Sequence, residues 1–262
     1  MRNSQTWVET KVVRKGSSFV PSSDCNVVGI GSRVALSCQI ACYEQALVEN
    51  ARGRLIDLGC GHVPYYSIYN RLVTETICVD WNNTSHKNEL LDASMNLNQP
   101  LSIDSDSFDT VLLLDVLEHI ARPVELLAEV SRILRAGGKV IVGVPFFYWL
   151  HEQPYDFYRF TEFALVEMCK SSGLDVISLA PYGGVPEILV DVSGKCLAAA
   201  NQNLGRAYVS TCALALALRP VRSLSRRTSK LFPYGYILVA RKGTTAGIVP
   251  SGGGSPDENR VI

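Results

Sequence analysis

Apolar residues in this chain fall into two alternating patterns. Short, predominantly apolar runs cover residues 54–58, 76–79, 108–114 and 139–144. Runs of that length, largely apolar, are what strands buried on both faces require. Between them, apolar residues recur at helical spacing. This predicts helices over 34–50, near 65–70, from Pro123 to about Arg135, and from Thr161 to Ser171. Pro123 suits a first helical turn, and Ala136-Gly137-Gly138 is expected to stop that helix with a left-handed cap. Pro145 ends the following strand. Thr161 is placed to cap its helix, with Glu162 in the first turn and Ser171-Ser172-Gly173 at the close. A short strand or turn is expected at 89–91, and further strands at 174–180 and 232–240. Strands alternating with helices imply an α/β three-layer sandwich.

The flanks read differently. Residues 1–33 are Ser-rich and without periodicity, so a flexible N-terminal arm is expected ahead of a domain spanning 34–242. Residues 185–230 form a helical insertion, Ala- and Leu-rich at first and basic at its end. Residues 243–262, with Ser251-Gly-Gly-Gly-Ser255, read as a disordered tail.

Composition adds three constraints. With 262 residues, 47% hydrophobic and 19% charged, the chain supports one large core. Its formal net charge of zero argues against nucleic acid as a partner. The charge is uneven, however: no acid lies between Asp191 and Asp257, a stretch that carries Lys195, Arg206, Arg219, Arg222, Arg226, Arg227, Lys230, Arg241 and Lys242. The eight cysteines form no C-x-x-C pair. With a polar N-terminus lacking a leader's apolar core, they read as reduced thiols of a cytoplasmic protein. The uncharged run 207–218 is too short to span a bilayer.

The chemistry is concentrated where two strands end. Arg54-Leu55-Ile56-Asp57-Leu58-Gly59-Cys60-Gly61 closes a strand on an acid and two near-adjacent glycines, and Cys78-Val79-Asp80-Trp81 closes the next on another acid. Glycines permit close backbone approach, and an acid after the second strand can accept both hydroxyls of a ribose. A dinucleotide site would want a third glycine and free N–H groups at the following helix start. The sequence instead continues His62-Val63-Pro64-Tyr65, which favours a ribose-bearing cofactor without a diphosphate.

In order, LIDLGCG, CVD, LLDASMNLNQPL, FDTVLLLDVLEHI, LAEVSRILRAGGKVIVGVP and HEQPYDFYRFT resemble the class I S-adenosylmethionine-dependent methyltransferases, in particular the broad type 11 family. The resemblance covers about residues 54–183. It implies a Rossmann-like seven-stranded, mostly parallel sheet with an antiparallel last strand, and S-adenosyl-L-methionine as cofactor. Residue by residue, it implies that Gly59, Cys60 and Gly61 line the methionine and ribose, and that Asp57 receives the methionine ammonium. Asp80 would take the ribose hydroxyls, with Trp81 against the adenine face. Asp92 and Ala93 would read the adenine edge, and Asp115 and Val116 would face the methionine.

The methyl acceptor is sought in residues 145–161, which follow the fifth strand. Tyr148, Tyr155 and upstream Tyr65 offer aromatic surface, Asp156 and Arg159 polar anchors, and His151 a base whose ordinary pKa lies near neutrality. Similar H-x-x-P-x-D-x-x-R-[FY]-T loops resemble those of members linked to glycan and polysaccharide biosynthesis, which implies O-methylation of a sugar hydroxyl in a glycan or glycolipid. O-methylation of a quinone or phenol is the alternative, and a non-catalytic cofactor-binding partner subunit is another. Asp115-x-x-Glu118-His119 resembles a set proposed to hold a divalent metal in quinone-pathway enzymes. Here Glu118 is read as a helix cap, His119 as packing beneath the cofactor, and no metal is assigned. The apolar-then-basic insertion fits either a cap over the site or peripheral contact with an anionic membrane, at the inner face.

Overall fold

The computed structural model describes residues 1–81 and 88–243. A hairpin of β1 (Val12–Lys15) and β2 (Ser18–Pro21) precedes helix α1 (Ser32–Asn50). Then come β3 (Gly53–Leu58), α2 (Tyr66–Tyr69), β4 (Val73–Asp80), β5 (Ala93–Ser94), β6 (Phe108–Leu114), α3 (Pro123–Ile133) and β7 (Leu134–Pro145). The chain continues through α4 (Glu162–Ser171), β8 (Leu174–Tyr182), α5 (Val185–Ala200), α6 (Gln202–Leu216), α7 (Arg219–Thr228) and β9 (Gly235–Lys242).

Strands β3 to β9 form one seven-stranded sheet in the order β5-β4-β3-β6-β7-β9-β8. All neighbours pair in parallel except β9, which runs antiparallel to both β7 and β8. The expected α/β three-layer architecture with an antiparallel last strand is therefore the observed one. The largely apolar strands bury both sheet faces by alternation. Ile56 and Leu58 of β3 and Val111 and Leu113 of β6 face α3 and α4, meeting Leu126, Val130, Ile133 and Leu165. Leu55 and Leu112 face the opposite way, onto Tyr43, Leu47 and Tyr69 of α1 and α2. Tyr43 lies so close to β7 that a Cβ on Gly143 would overlap its hydroxyl, which fixes glycine there. From β3 the chain winds outward to β5, then returns to the other side of β3 at β6. The carboxyl ends of β3 and β6 thus border the reversal of winding, where open α/β sheets bind ligands.

Several elements depart from the sequence reading. Residues 1–33, expected as a flexible arm, are folded onto the domain: Val12 is fully buried and Trp7 Nε1 donates to the Val63 carbonyl at 3.2 Å. Isolated apolar residues in a polar stretch did this, without periodicity to announce it. Helix α3 stops at Ile133, before the glycines, because Leu134 is already extended and pairs with Phe108. Gly137, at φ +78°, lies within β7, where its register with β6 shifts before Thr110 pairs with Lys139. The short strand falls at Ala93–Ser94, because Asn88 Oδ1 accepts the Leu90 N–H at 3.0 Å and turns residues 89–91. Thr161 does cap α4, accepting the Ala164 N–H at 3.2 Å. The insertion contains α5, α6 and α7; Gly205 of α6 packs against Ala198 of α5 too closely for any side chain. No described helix is long and apolar enough to cross a membrane. Of the tail assigned to 243–262, residues 244–262 lie outside the described residues.

Candidate functional site

At the end of β3, the Gly59 and Cys60 N–H groups both donate to the Val79 carbonyl of β4, at 2.8 and 3.2 Å. Gly59 sits at φ +73°, and a Cβ there would lie 2.6 Å from Val116, so both the conformation and the space demand glycine. Gly61 is also left-handed, at φ +51°, yet a Cβ on it would meet nothing within 4 Å. Its outer face is open. Cys60 is buried, so its part in the turn is its backbone.

Asp80, ending β4, ties this turn to its own strand. Its Oδ2 accepts the Gly61 N–H and its Oδ1 the Trp81 N–H, each at 2.7 Å. Each oxygen retains acceptor capacity. The Asn88 side-chain amide donates to the Gly61 carbonyl from the far side. Trp81 meets Tyr155 edge-on with ring centroids 5.4 Å apart, so the loop after β7 touches the end of β4.

Asp57 is 6% exposed and accepts the Tyr69 hydroxyl at 3.1 Å. Burial pushes its carboxyl up to about 7, against a smaller opposing pull from that hydrogen bond, and the nearby Asp80 charge raises it further. Raised acids favour the folded state below the unfolded pKa, near 4, and lose that advantage as pH rises through 7. Asp57→Asn, which keeps an acceptor for Tyr69, is therefore expected to raise stability at pH 8 by roughly 1–3 kcal/mol, within the linkage ceiling, and to leave it unchanged at pH 4. Thermal melts at the two pH values check this; equal effects at both would contradict it.

Asp115 follows β6 at φ +57°, a strained conformation for a non-glycine residue. Its Oδ1 accepts from Gln39 Nε2 at 2.9 Å and Tyr43 Oη at 3.0 Å. Burial outweighs these bonds and raises its pKa to about 6. Gln39 and Tyr43 were not anticipated as site residues, although their spacing of one helical turn on α1 was a usable signal. Asp92 is placed differently from expectation. Its Oδ2 accepts the Cys78 N–H at 2.8 Å and lies 3.2 Å from the Met1 amino nitrogen, so it braces β4 to β5, with Ala93 beginning the short strand beside it. Tyr65, expected at the acceptor, is 5% exposed and packs on Tyr43, so it belongs to the core.

The loop after β7 folds around Glu118. That side chain is fully buried, and neither carboxylate oxygen has a hydrogen-bond partner. Burial and the Asp115 charge hold its pKa well above the ordinary carboxyl range. It does not cap a helix as expected; its carbonyl instead accepts the Phe157 and Tyr158 N–H groups at 2.9 and 3.3 Å, stitching the loop down. His119 Nδ1 lies 2.9 Å from the Tyr155 carbonyl. His151 lies 4.7 Å from the His119 ring and 5.2 Å from the Tyr148 ring. Glu118, His119 and His151 bring ligand-capable atoms within 4.8 Å of one another.

Asp156 and Arg159, expected as substrate contacts, are engaged with each other. Arg159 forms a two-pronged pair with Asp156 at 2.6 and 2.8 Å and donates to the Tyr148 and Trp149 carbonyls. The guanidinium holds the Asp156 carboxyl far below the usual range. A rigid planar pair inside a loop of exposed aromatics is a brace, and it leaves neither group free for a ligand. Asp156 Oδ2 also accepts the His151 backbone N–H at 3.0 Å and lies 3.3 Å from His151 Nδ1. Burial, then the adjacent His119, lowers the His151 pKa below its ordinary value. Around it, Trp149 is 58% and Phe157 45% exposed, which presents aromatic faces to solvent.

Residues 56–142 match the methyltransferase domain family model. No curated protein sequence matches the chain. Among solved structures, the putative methyltransferase complexed with the Trm112 activator of Haloferax volcanii superposes with a TM-score of 0.52 at 14% identity, over 82% of this chain and 98% of that one. The [4+2]-cyclase SpnF superposes with a TM-score of 0.51 at 14% identity, over 79% and 83%. A SAM-dependent methyltransferase from Archaeoglobus fulgidus gives 0.49 at 16% identity, over 77% and 94%. Over residues 56–142, a third of the chain, the sequence is similar to methyltransferase domains, and the solved structures share the fold.

Proposed function

We propose that this chain transfers a methyl group to a sugar hydroxyl of a glycan or glycolipid, with His151 as the base. The observation that carries the reading is the environment of that imidazole. Asp156 and the Trp149 carbonyl, both 3.3 Å from Nδ1, favour the tautomer with its proton there. Nε2 keeps its lone pair, 4.0 Å from Glu118 Oε1, and the lowered pKa favours the neutral ring. A neutral imidazole in reach of an acceptor hydroxyl is what removal of its proton requires. Lys195 Nζ lies over the Trp149 ring, 4.8 Å from its centroid, and the remaining exposed surface of Trp149 and Phe157 suits the apolar face of a sugar ring.

The residues at the ends of β3, β4 and β6 fit the cofactor. Asp57, Asp80 and Asp115 form no ion pair within 4.0 Å among the described residues, although the Lys11 charge acts on Asp115, and a ligand bearing an ammonium and a sulfonium would supply close positive charge. Asp80 would hold the ribose hydroxyls beside the open face of Gly61, and Asp57 the methionine ammonium. Gly59, Val116 and Asp115 would line the methionine side, with Trp81 at the adenine. Asp92 keeps one oxygen for the adenine edge, next to Ala93. When bound, the cofactor supplies an electrophilic methyl carbon. The chain's own work is to hold the acceptor oxygen in line with that carbon, exclude water beneath the aromatic loop, and take the hydroxyl proton on His151 Nε2.

The test is S-adenosylhomocysteine release with panels of sugar nucleotides, oligosaccharides and catechols. Turnover with a sugar panel is expected. Turnover with catechols alone would replace the acceptor class. Cofactor binding without turnover on any acceptor, with the protein intact, would favour a binding subunit.

A further inference from the structure

We infer that a second site, in the cavity between α1 and the inserted helices α5, α6 and α7, binds the phosphate headgroup of an anionic membrane lipid. It goes beyond methyl transfer and shares no residue with the cofactor or the His151 loop.

The cavity has a volume of about 510 Å3. Three guanidinium groups line it: Arg33 from α1, Arg206 from α6 and Arg222 from α7. No carboxylate lies within ion-pair distance of any of them among the described residues. Arg33 Nη2 donates to the Ser23 carbonyl and contacts Cys25 Sγ at 3.5 Å, while its Nε is buried with no partner. Arg206 Nη2 reaches the same sulfur at 3.4 Å. Two cations therefore converge on one cysteine sulfur, where an anion would satisfy both. The lining acid, Glu187, is turned to its own helix start, where Oε2 accepts the Gly184 N–H at 2.9 Å. Unpaired arginines at the wall of a cavity are the donor set that recognises phosphate oxygens, with geometry no single surface cation offers.

Apart from Ser37 and Ser210, the rest of the lining is apolar, including Val34, Val209 and Leu216, which suits a lipid better than a free phosphate ion. The rim points to a lipid surface. Leu214 near the end of α6 is 75%, Leu218 in the turn 56% and Leu224 on α7 50% exposed. Arg219, Arg226, Arg227 and Lys230 follow on and after α7. Exposed leucines interleaved with cations are the composition of an interfacial element, which inserts shallowly while its charges meet anionic headgroups. The occupant is therefore one phospholipid whose headgroup enters the cavity while its acyl chains remain in the membrane.

The test uses the full chain in flotation with vesicles of phosphatidylcholine, with and without phosphatidylglycerol. A parallel titration uses short-chain phosphatidic acid and inorganic phosphate. Flotation only with anionic vesicles is expected, as is binding of the short-chain lipid in preference to phosphate. The double charge reversal Arg206→Glu/Arg222→Glu is expected to lower vesicle association at least ~10-fold and to abolish short-chain lipid binding. Leu214→Asp/Leu218→Asp should lose vesicle binding while keeping the short-chain lipid. Equal flotation with neutral vesicles, an unaffected charge-reversed protein, or phosphate binding as well as the lipid would each overturn the proposal. S-adenosylmethionine titration of the same variants shows that they are folded. Lipid binding and cofactor binding can fail separately, so the two readings are judged independently.

Discussion

Asp80→Ala is expected to weaken S-adenosylhomocysteine binding by about 10²–10³-fold, equivalent to roughly 3–4 kcal/mol. The figure follows from two charge-assisted hydrogen bonds to the ribose hydroxyls, each worth roughly 1.5–3 kcal/mol. Asp80 also accepts the Gly61 and Trp81 N–H groups, both at 2.7 Å. Alanine therefore loosens the turn as well as removing the contact. Asp80→Asn narrows these effects: its carbonyl can still accept from Gly61, while the charge, one acceptor and the bond from the Trp81 N–H are lost. Asparagine is expected to cost about tenfold. Isothermal titration measures both. An alanine variant that binds as tightly as the parent protein would place the ribose elsewhere.

His151→Ala is expected to lower kcat by about 10²–10⁴-fold while leaving cofactor affinity unchanged, because proton removal from the acceptor is lost and the cofactor's contacts are not. The pH profile carries the same information independently. Since burial and His119 lower the His151 pKa, the neutral base persists below the ordinary imidazole value near 6.5, so the acid limb of kcat/KM is expected to fall below that pH. In His151→Gln, which retains polarity but cannot take the proton, that limb should disappear along with the rate. A profile unchanged by the substitution would reduce His151 to a member of the loop brace formed by Asp156 and Arg159.

The glycine turn and the acids flanking it were legible because they sit at the ends of largely apolar runs, where strand period and site position coincide. What lies behind them was not. Asp115 depends on Gln39 and Tyr43, and Asp57 on Tyr69. Those partners are far away in sequence and occupy helix faces whose pattern announces packing, not chemistry. Tyr65 shows the converse: an aromatic next to the glycine turn looked available and is in the core. Asp156 and Arg159 were read as ligand contacts because charged residues among aromatics suggest a site. Their spacing of three residues suits a mutual pair equally well, and the structure makes that pair. Glu118 could not be foreseen as a buried acid without hydrogen-bond partners, because only the folded loop from Tyr155 to Tyr158 covers it. The early stop of α3 has a similar cause: pairing between Leu134 and Phe108 outweighs the helix-capping preference of the two glycines beyond it.

The most direct measurement is mass-spectrometric detection of an isotopically labelled methyl group passing from S-adenosylmethionine to a saccharide, run side by side with the parent chain, Asp80→Ala and His151→Ala. The account predicts label on a sugar oxygen with the parent chain, at most a trace with His151→Ala, and recovery of the Asp80→Ala rate only at much higher cofactor concentration. Label on the saccharide at the parent rate with both variants would contradict it.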